Sequence, residues 1–399
     1  MSEVINPIIT ESTGKDIIQV GKDIVSSLAV IAQSNMIGKD WNWKEIRAVV
    51  DNNGADKAFP IGMQFIEKWL DTANKEWQVP WQVNHRCMVE LEDGRTVPGM
   101  WLQSHYAFPG IQFSRRAFLA CPEGLEAGTY HFDFAEKWGN NVATGIKYQF
   151  TLTKPVEKGG RLAGCFGAPD VNPTKWKVYS YGADGIALNE TVDVTEGETG
   201  TNIGTLLYNK RSGNLNSIQE MAYGHNRWKT SAIRQYLNSF EEKGKWWKAQ
   251  DEWDICPEQL ATMDGFLHGL PEEMINSLKK VKVVTYANTV NDEGAEDITY
   301  DYVTLPSLEQ INAKTQISGE GETHDYWKIK SGSNAPVEWY KDNPKMVTYA
   351  LSNHASAQSV RLRSAYRGYA TSTWYVYSSG RIYYYGASSA FAFAPLVCI

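Results

Sequence analysis

Short runs of strand-forming residues, each closed by a tight-turn signal, restrict what this chain can fold into. Between about 41 and 204, residues 87–91, 130–134 and 148–152 have the β-branched and aromatic composition of strands. Glu92-Asp93-Gly94, Lys158-Gly159-Gly160 and Ala183-Asp184-Gly185 punctuate the region. Regularly spaced short strands of this kind predict a β-rich, sandwich-like region.

The rest of the chain has a different texture. In residues 1–40, Ile17, Val20, Ile24, Leu28 and Ile31 recur at spacings of three and four, the stripe of an amphipathic helix. Such a helix either docks on its own domain or serves as an attachment or oligomerising segment, in which case a homotrimer is the expected assembly. From 205 onwards helices and strands mix. Thr230 or Ser231 can cap a helix that places Ile233, Tyr236, Leu237 and Phe240 on one face, and a second short helix is expected from Pro271 with Met274, Ile275 and Leu278 inward. Residues 281–286 and 298–305 read as strands joined by the acidic loop 291–297. That loop lacks the spacing of an EF-hand and is expected to be a solvated hairpin tip rather than a calcium site.

Charge and cysteine content exclude several classes. With 39 Lys and Arg against 46 Asp and Glu, the net charge is −7 and no stretch is densely basic, so no nucleic-acid partner is expected. No apolar run approaches the roughly 18–20 residues of a membrane span, so no membrane insertion is expected. The N-terminal residues lack the pattern of a secretory signal. The five cysteines (Cys87, Cys121, Cys165, Cys256, Cys398) are scattered without a C-x-x-C, which predicts reduced, buried thiols rather than disulfides or zinc. His85, His105 and His131 have no metal-ligand spacing and are expected to be ordinary strand or loop residues. No cofactor and no metal are implied.

The C-terminal segment carries the functional information. Tyr366, Tyr369, Tyr375, Tyr377, Tyr383, Tyr384 and Tyr385 place seven of the 21 tyrosines within twenty residues, interleaved with Ser372, Ser378, Ser379, Ser388, Ser389, Gly368, Gly380 and Gly386. Tyr, Ser and Gly are the residues of adaptable recognition surfaces: tyrosine gives amphipathic contact area at low entropy cost, and the small residues adapt the backbone. Between Tyr369 and Phe393 there is no Lys, Glu, Gln, Met, Asp or Asn, and Trp374 is the only Trp. Asn codons ending in a pyrimidine, randomised at their adenines, yield Tyr, Ser, Phe, Arg, Thr, Ala and Gly but never Lys, Glu, Gln, Met or Trp. The segment obeys that restriction except at Trp374. A buried strand pair or an aggregation-prone stretch would have a similar composition. Strand alternation would turn Trp374 and Val376 one way and Tyr375 and Tyr377 the other, and Leu396-Val397-Cys398-Ile399 reads as a core strand.

Several separated motifs, in order, carry a family resemblance. Tyr223-Gly224-His225-Asn226-Arg227-Trp228 and Ser231-Ala232-Ile233-Arg234-Gln235-Tyr236-Leu237-Asn238-Ser239 resemble the start of the C-type lectin fold domain in variable proteins of diversity-generating retroelements of gut phages and bacteria. Leu362-Arg363-Ser364 and Ala394-Pro395-Leu396-Val397-Cys398-Ile399 resemble that domain's C-terminal end. Phe59-Pro60-Ile61-Gly62 and Gly128-Thr129-Tyr130-His131-Phe132 resemble the β-rich domain that precedes it. The chain departs from the relatives' Trp-Leu-Arg-Ser-Pro at Arg361 and Ala365. The implied architecture is α+β: an N-terminal segment (1–40), a β-rich sandwich-like domain (41–204) and a C-type lectin fold domain (205–399) with its variable segment at about 366–393.

The resemblance implies a non-catalytic ligand binder whose 3′ gene end is rewritten by an error-prone reverse transcriptase. The implied binding positions are Tyr369, Ser372, Tyr375, Tyr377, Ser379, Arg381, Tyr383, Tyr384, Tyr385, Ser388, Ser389 and Phe391, pointing outward. Trp374, Val376, Ile382 and Pro395 would be scaffold, supported by Trp228, Ile233 and Leu237. The expected setting is a phage tail, assembled in the host cytoplasm alongside other virion proteins, attaching to a bacterial surface protein or glycan receptor. A fixed-sequence bacterial surface adhesin or a structural virion protein shares the same fold-level features. An enzyme resembling formylglycine-generating enzymes would need cysteine chemistry for which only Cys398 lies in the right region.

Overall fold

The computed structural model of the chain describes residues 40–135, 146–165, 176–207 and 217–399. The stripe over 17–31 lies outside the described residues. The fold is α+β and mostly β, with several sheets and few helices. Strands are numbered in chain order.

Two five-stranded sheets form the larger unit. The first runs β1 (Gln64–Leu70), β2 (Glu76–Glu90), β3 (Thr96–Ser104), β22 (Leu396–Cys398) and β15 (Val303–Thr304). The second runs β20 (Ile382–Gly386), β19 (Ser372–Val376), β18 (Val360–Ala365), β21 (Ala390–Phe393) and β4 (Phe108–Gln112). Early and late parts of the chain are therefore interleaved: Val397 pairs with Leu102 on one side and Val303 on the other, and Phe391 pairs with Ile111. One core follows from this pairing. Trp81, Val83, Leu102, Phe108 and Phe113 pack with Trp228, Ile233, Tyr236, Leu237, Phe393, Val397 and Ile399. Each such side chain contributes about 1.5–3 kcal/mol when fully buried.

A second unit lies between β4 and the return to this core. One sheet runs β10 (Ala187–Asp193), β9 (Lys177–Tyr181), β8 (Gly160–Cys165) and β5 (Leu119–Cys121). The other runs β11 (Thr195–Glu196), β7 (Tyr148–Leu152), β6 (Gly128–Phe134) and β12 (Thr201–Leu206). Leu119, Leu162 and Val178 from the first share a core with Phe132, Tyr148, Phe150 and Leu206 from the second. Strand pairing and core packing thus set the division near 113–117 and 222–228, not at 204/205, since Ile218 and Met221 still pack in the second core and Trp228 in the first. The expected 41–204 domain is split, because β1–β4 complete the two sheets that the C-terminal half builds.

Two hairpins complete the strands: β13 (Val281–Tyr286) with β14 (Glu296–Asp301), and β16 (Thr348–Tyr349) with β17 (Ala357–Gln358). Ser231 caps the helix Ala232–Leu237 by accepting from Arg234 N (3.2 Å), as its position before an apolar face predicts. The helix stops one turn early. The Asn238 side chain donates to Val303 O (2.8 Å) and accepts from Tyr302 N (2.8 Å), diverting the chain, so Phe240 is left 48% exposed rather than inward. The helix Glu272–Ser277 follows Pro271 with Met274 buried. No helix among the described residues is long and apolar enough to cross a membrane.

Candidate recognition surface

The Tyr/Ser/Gly segment forms the β19–β20 hairpin, with Tyr375 opposite Tyr383, Trp374 opposite Tyr384 and Thr373 opposite Tyr385. Its turn is closed by Gly380 N donating to Tyr377 O (2.7 Å) and Tyr377 N to Arg381 O (2.8 Å). Gly380 has φ +81°, and a Cβ there would collide with Asn343 O, so only glycine fits. β20 is the edge strand of its sheet; Tyr383 and Tyr385 are exposed on one face, while Ile382 is buried and Tyr384 partly buried on the other.

One face is an aromatic patch. Tyr375 and Phe391 stack at 4.7 Å and 18°, forming its floor. Tyr377, Tyr383 and Tyr385 stand around them, 45%, 36% and 49% exposed. The Arg361 guanidinium lies beneath, 4.4 Å from the Phe391 centroid. It is wholly buried, and no carboxylate among the described residues pairs with it; burial pushes it down from its ordinary value. Its two terminal nitrogens donate to oxygens instead: Thr373 Oγ1 (2.6 Å), Tyr385 O (3.2 Å), Gly386 O (3.1 Å) and Ser389 O (2.7 Å). One side chain thereby fixes the backbone on which Tyr385, Ser388 and Ser389 are displayed.

The other face is a second aromatic cluster. Tyr384 stacks on Tyr366 at 3.9 Å, and Tyr369 and Trp374 close around them. Trp339 packs on Trp374 at 4.7 Å, and Tyr340 meets Tyr383 edge-on at 5.4 Å. Asp342 accepts from Ser379 Oγ (2.7 Å) and Arg381 Nε (3.0 Å). Sequence reasoning left Trp339, Tyr340 and Asp342 out of the site: they lie some 40 residues before their partners, and only the fold brings them together.

Most of the twelve expected positions lie on this hairpin and its flanks. Tyr369, Tyr377, Tyr383 and Tyr385 are exposed, and Ser379, Arg381, Tyr384, Ser388, Ser389 and Phe391 are partly exposed. Two differ from the outward placement. Tyr375 is 5% exposed because Phe391 lies over it from β21, and Ser372 is 8% exposed beneath the 366–372 turn. Trp374, Val376 and Ile382 are buried in a cluster with Leu362 and Met346.

The 223–228 motif holds that turn. Asn226, fully buried, donates from Nδ2 to Tyr369 O (2.7 Å), Ser372 O (2.7 Å) and Tyr366 O (3.2 Å), and accepts from Asn288 Nδ2 (3.0 Å). Arg227 grips Asp297 through two nitrogens (2.6 and 2.8 Å), and His225 lies 2.8 Å from Asp292. Burial alone would lower His225, but the Asp292 carboxylate outweighs it and the imidazole is raised; Asp292, in turn, is held below its ordinary value against the opposing effect of burial. The loop 291–297 is accordingly not a solvated tip: Asp292 and Asp297 turn inward to these cations. Among the described residues no group of His, Cys, Asp and Glu is arranged to hold a metal ion.

His85 differs from the ordinary strand residue expected. It sits between Asp325 (3.1 Å) and Glu322 (3.2 Å) and stacks on His324 at 5.1 Å. His105 lies 3.0 Å from Gln82 Oε1, and His131 lies in β6. Burial raises the thiols of Cys87, to about 11, and of Cys121 and Cys398, to about 12.

The fold and surface define a mostly β protein that presents aromatic side chains on a rigidly anchored edge hairpin. Residues 203–399, just under half of the chain, match the family model described as a Domain of unknown function (DUF6273). No curated protein and no solved structure matches this chain. The matched segment begins within β12 and runs through β22 but does not include β1–β4, which complete both five-stranded sheets.

Proposed function

We propose that the chain is a non-catalytic receptor-recognition protein whose C-terminal unit has a C-type lectin fold, with the β19–β20 hairpin as a binding surface diversified by a retroelement. In this reading it is a phage tail component that attaches the particle to a bacterial surface protein or glycan. One observation carries the proposal: three exposed tyrosines stand on the hairpin and a fourth, Tyr369, on the turn before it, with the backbone of the two held from beneath by buried Arg361 and Asn226. Side chains on such a hairpin can change without disturbing the hydrogen bonds that shape it. Aromatic edges and faces suit protein or glycan ligands, and several copies on one particle would add avidity. The protonated, buried thiols favour binding over cysteine chemistry.

Deep sequencing of the 3′ end of the gene in its source population tests this. Substitutions should fall at the exposed and partly exposed positions of 369–391, at adenine-derived bases, and should spare Arg361, Trp374 and Gly380. An invariant 3′ end would favour a fixed-sequence adhesin or structural virion protein.

A further inference from the structure

The loop ahead of the hairpin carries a strained tyrosine. Tyr340 has φ +61°, in the left-handed region that a bulky side chain rarely occupies. Such backbone persists only where its surroundings over-determine it, and it gathers at ligand-binding sites. Tyr340 N donates to Ile382 O (3.1 Å), laying the loop along the outer edge of β20. Trp339 packs on Trp374 at 4.7 Å and donates from its indole to Lys314 O (2.6 Å). Held in this way, the Tyr340 ring is exposed and stands edge-on to that of Tyr383, at 5.4 Å and 78°. The two rings form an open corner.

A pair of charged groups stands beside it. Asp342 follows Tyr340 by two residues, and Arg381 precedes Tyr383 by two. Asp342 Oδ1 accepts from both Ser379 Oγ (2.7 Å) and Arg381 Nε (3.0 Å), and these bonds hold the carboxyl below its ordinary value. Asp342 Oδ2 and the two terminal nitrogens of Arg381 have no partner among the described residues, and both side chains are exposed. A charged acceptor and a fork of charged donors thus lie side by side, open to solvent, next to two aromatic rings. A hydroxyl both donates and accepts, so two adjacent hydroxyls on one ring match that pair.

We propose that this corner binds a hexopyranose unit of a neutral glycan. The apolar C–H face of the sugar lies on the Tyr340 and Tyr383 rings, and two neighbouring hydroxyls engage Asp342 Oδ2 and the Arg381 guanidinium. The proposal rests on the receptor-recognition reading and names its ligand class. An aromatic surface alone suits a protein equally well; the free acceptor beside free donors is what selects a polyol. The opposite charges of the pair cancel, which favours an uncharged sugar. Tyr340 and Asp342 precede the 366–393 segment, so they form the constant half of the subsite, and Arg381 and Tyr383 form the half that varies.

The test is saturation-transfer NMR on the full chain with methyl β-glucoside, methyl β-galactoside and methyl α-mannoside. Tetrahydropyran-2-methanol, which keeps the ring but lacks the adjacent hydroxyls, is the control. At least one glycoside should bind saturably with a Kd of about 1–30 mM, a single-unit affinity that several copies raise by avidity. The control should not saturate. Tyr340→Gly removes one ring at a backbone conformation that glycine adopts freely, and should weaken that glycoside at least about tenfold. Asp342→Asn keeps an oxygen for Ser379 and Arg381 but turns the free acceptor into an amide donor. It should weaken binding about tenfold, with the melting temperature near that of the parent. The subsite is overturned if no glycoside saturates by about 50 mM, if both variants bind the glycoside as the parent does, or if the control binds equally well. Attachment to receptor-bearing cells reports separately on the underlying reading. Attachment that Tyr383→Ser with Tyr385→Ser abolishes, in a chain that binds no glycoside, removes the subsite and keeps the reading. Glycoside binding by a chain that attaches to no cell keeps the subsite and removes the reading.

Discussion

The ring of Tyr375 lies on that of Phe391, 4.7 Å between centroids and 18° from parallel, although the two residues sit on strands separated by β18. Because Phe391 comes across from β21, a tyrosine that alternation directs to the sheet surface becomes the floor of a patch rather than part of its rim. The exposed Tyr377, Tyr383 and Tyr385 stand around a surface that is already desolvated, the arrangement in which a few aromatic side chains can carry most of a binding energy.

The three consecutive tyrosines of β20 should accordingly separate in function. Replacing Tyr383 and Tyr385 together with serine should reduce receptor binding at least about 100-fold, the loss of two hot-spot side chains, with the melting temperature nearly unchanged. Tyr384→Ser should instead cost about 2–3 kcal/mol of stability, because its ring packs on Tyr366 and Trp374. Surface plasmon resonance against receptor-bearing cells or envelopes, alongside thermal melts, distinguishes the two. Equal melting losses for both variants would place all three rings in the core.

Arg361 should resist even its conservative replacement. A lysine ammonium is a compact point charge and cannot reach Thr373 Oγ1 and the carbonyls of Tyr385, Gly386 and Ser389 together. Arg361→Lys should lower unfolding free energy by about 2–4 kcal/mol, read from the urea midpoint, since it leaves buried acceptors open around a buried charge. Amide NMR shifts should move most at residues 385–389. A midpoint within error of the parent would mean that the hairpin is held by other contacts.

How much of this was legible beforehand follows the range of the interactions. Ser231 as a helix cap, the strands around 130–134 and 148–152, and the apolar terminal strand are written in local composition and spacing, and they fold as such. Pairing is not local. Nothing near residue 108 says that β4 will sit against β21, so the boundary at 204/205 followed texture instead of partners. The acidic loop 291–297 reads as solvated until Arg227 and His225, some 65–70 residues earlier, are brought against it. The buried state of Tyr375 depends on Phe391, and that of Ser372 on the turn that Asn226 clamps. Phe240 was misplaced by periodicity because Asn238 ends the helix through contacts with β15 and the residue before it.

Receptor binding should be insensitive to chelation. Asp292 and Asp297 are committed to His225 and Arg227, and a cation could take them only by breaking those pairs. Binding isotherms in EDTA and in millimolar calcium should superimpose. A loss of binding in EDTA that calcium restores would return the 291–297 loop to consideration as a metal site.

The His225–Asp292 pair should make stability depend on pH in a defined direction. His225 is raised in the folded protein, so its contribution is complete below its unfolded value of about 6.5 and is lost as pH rises through the folded value. Asp292 is lowered, so its contribution is present above about 3.8 and is lost as pH falls through the folded value. The pair is strongest between these limits, and the urea midpoint should decline as pH is raised above about 6.5. Because Asn288 donates to both Asp292 and Asn226, the 366–372 turn should loosen over the same range, seen as faster amide exchange at Ala370 and Tyr369. His225→Gln should be less stable at pH 6 yet nearly flat across that window. If the variant keeps the parent's slope, another group carries the titration and the clamp does not govern the turn.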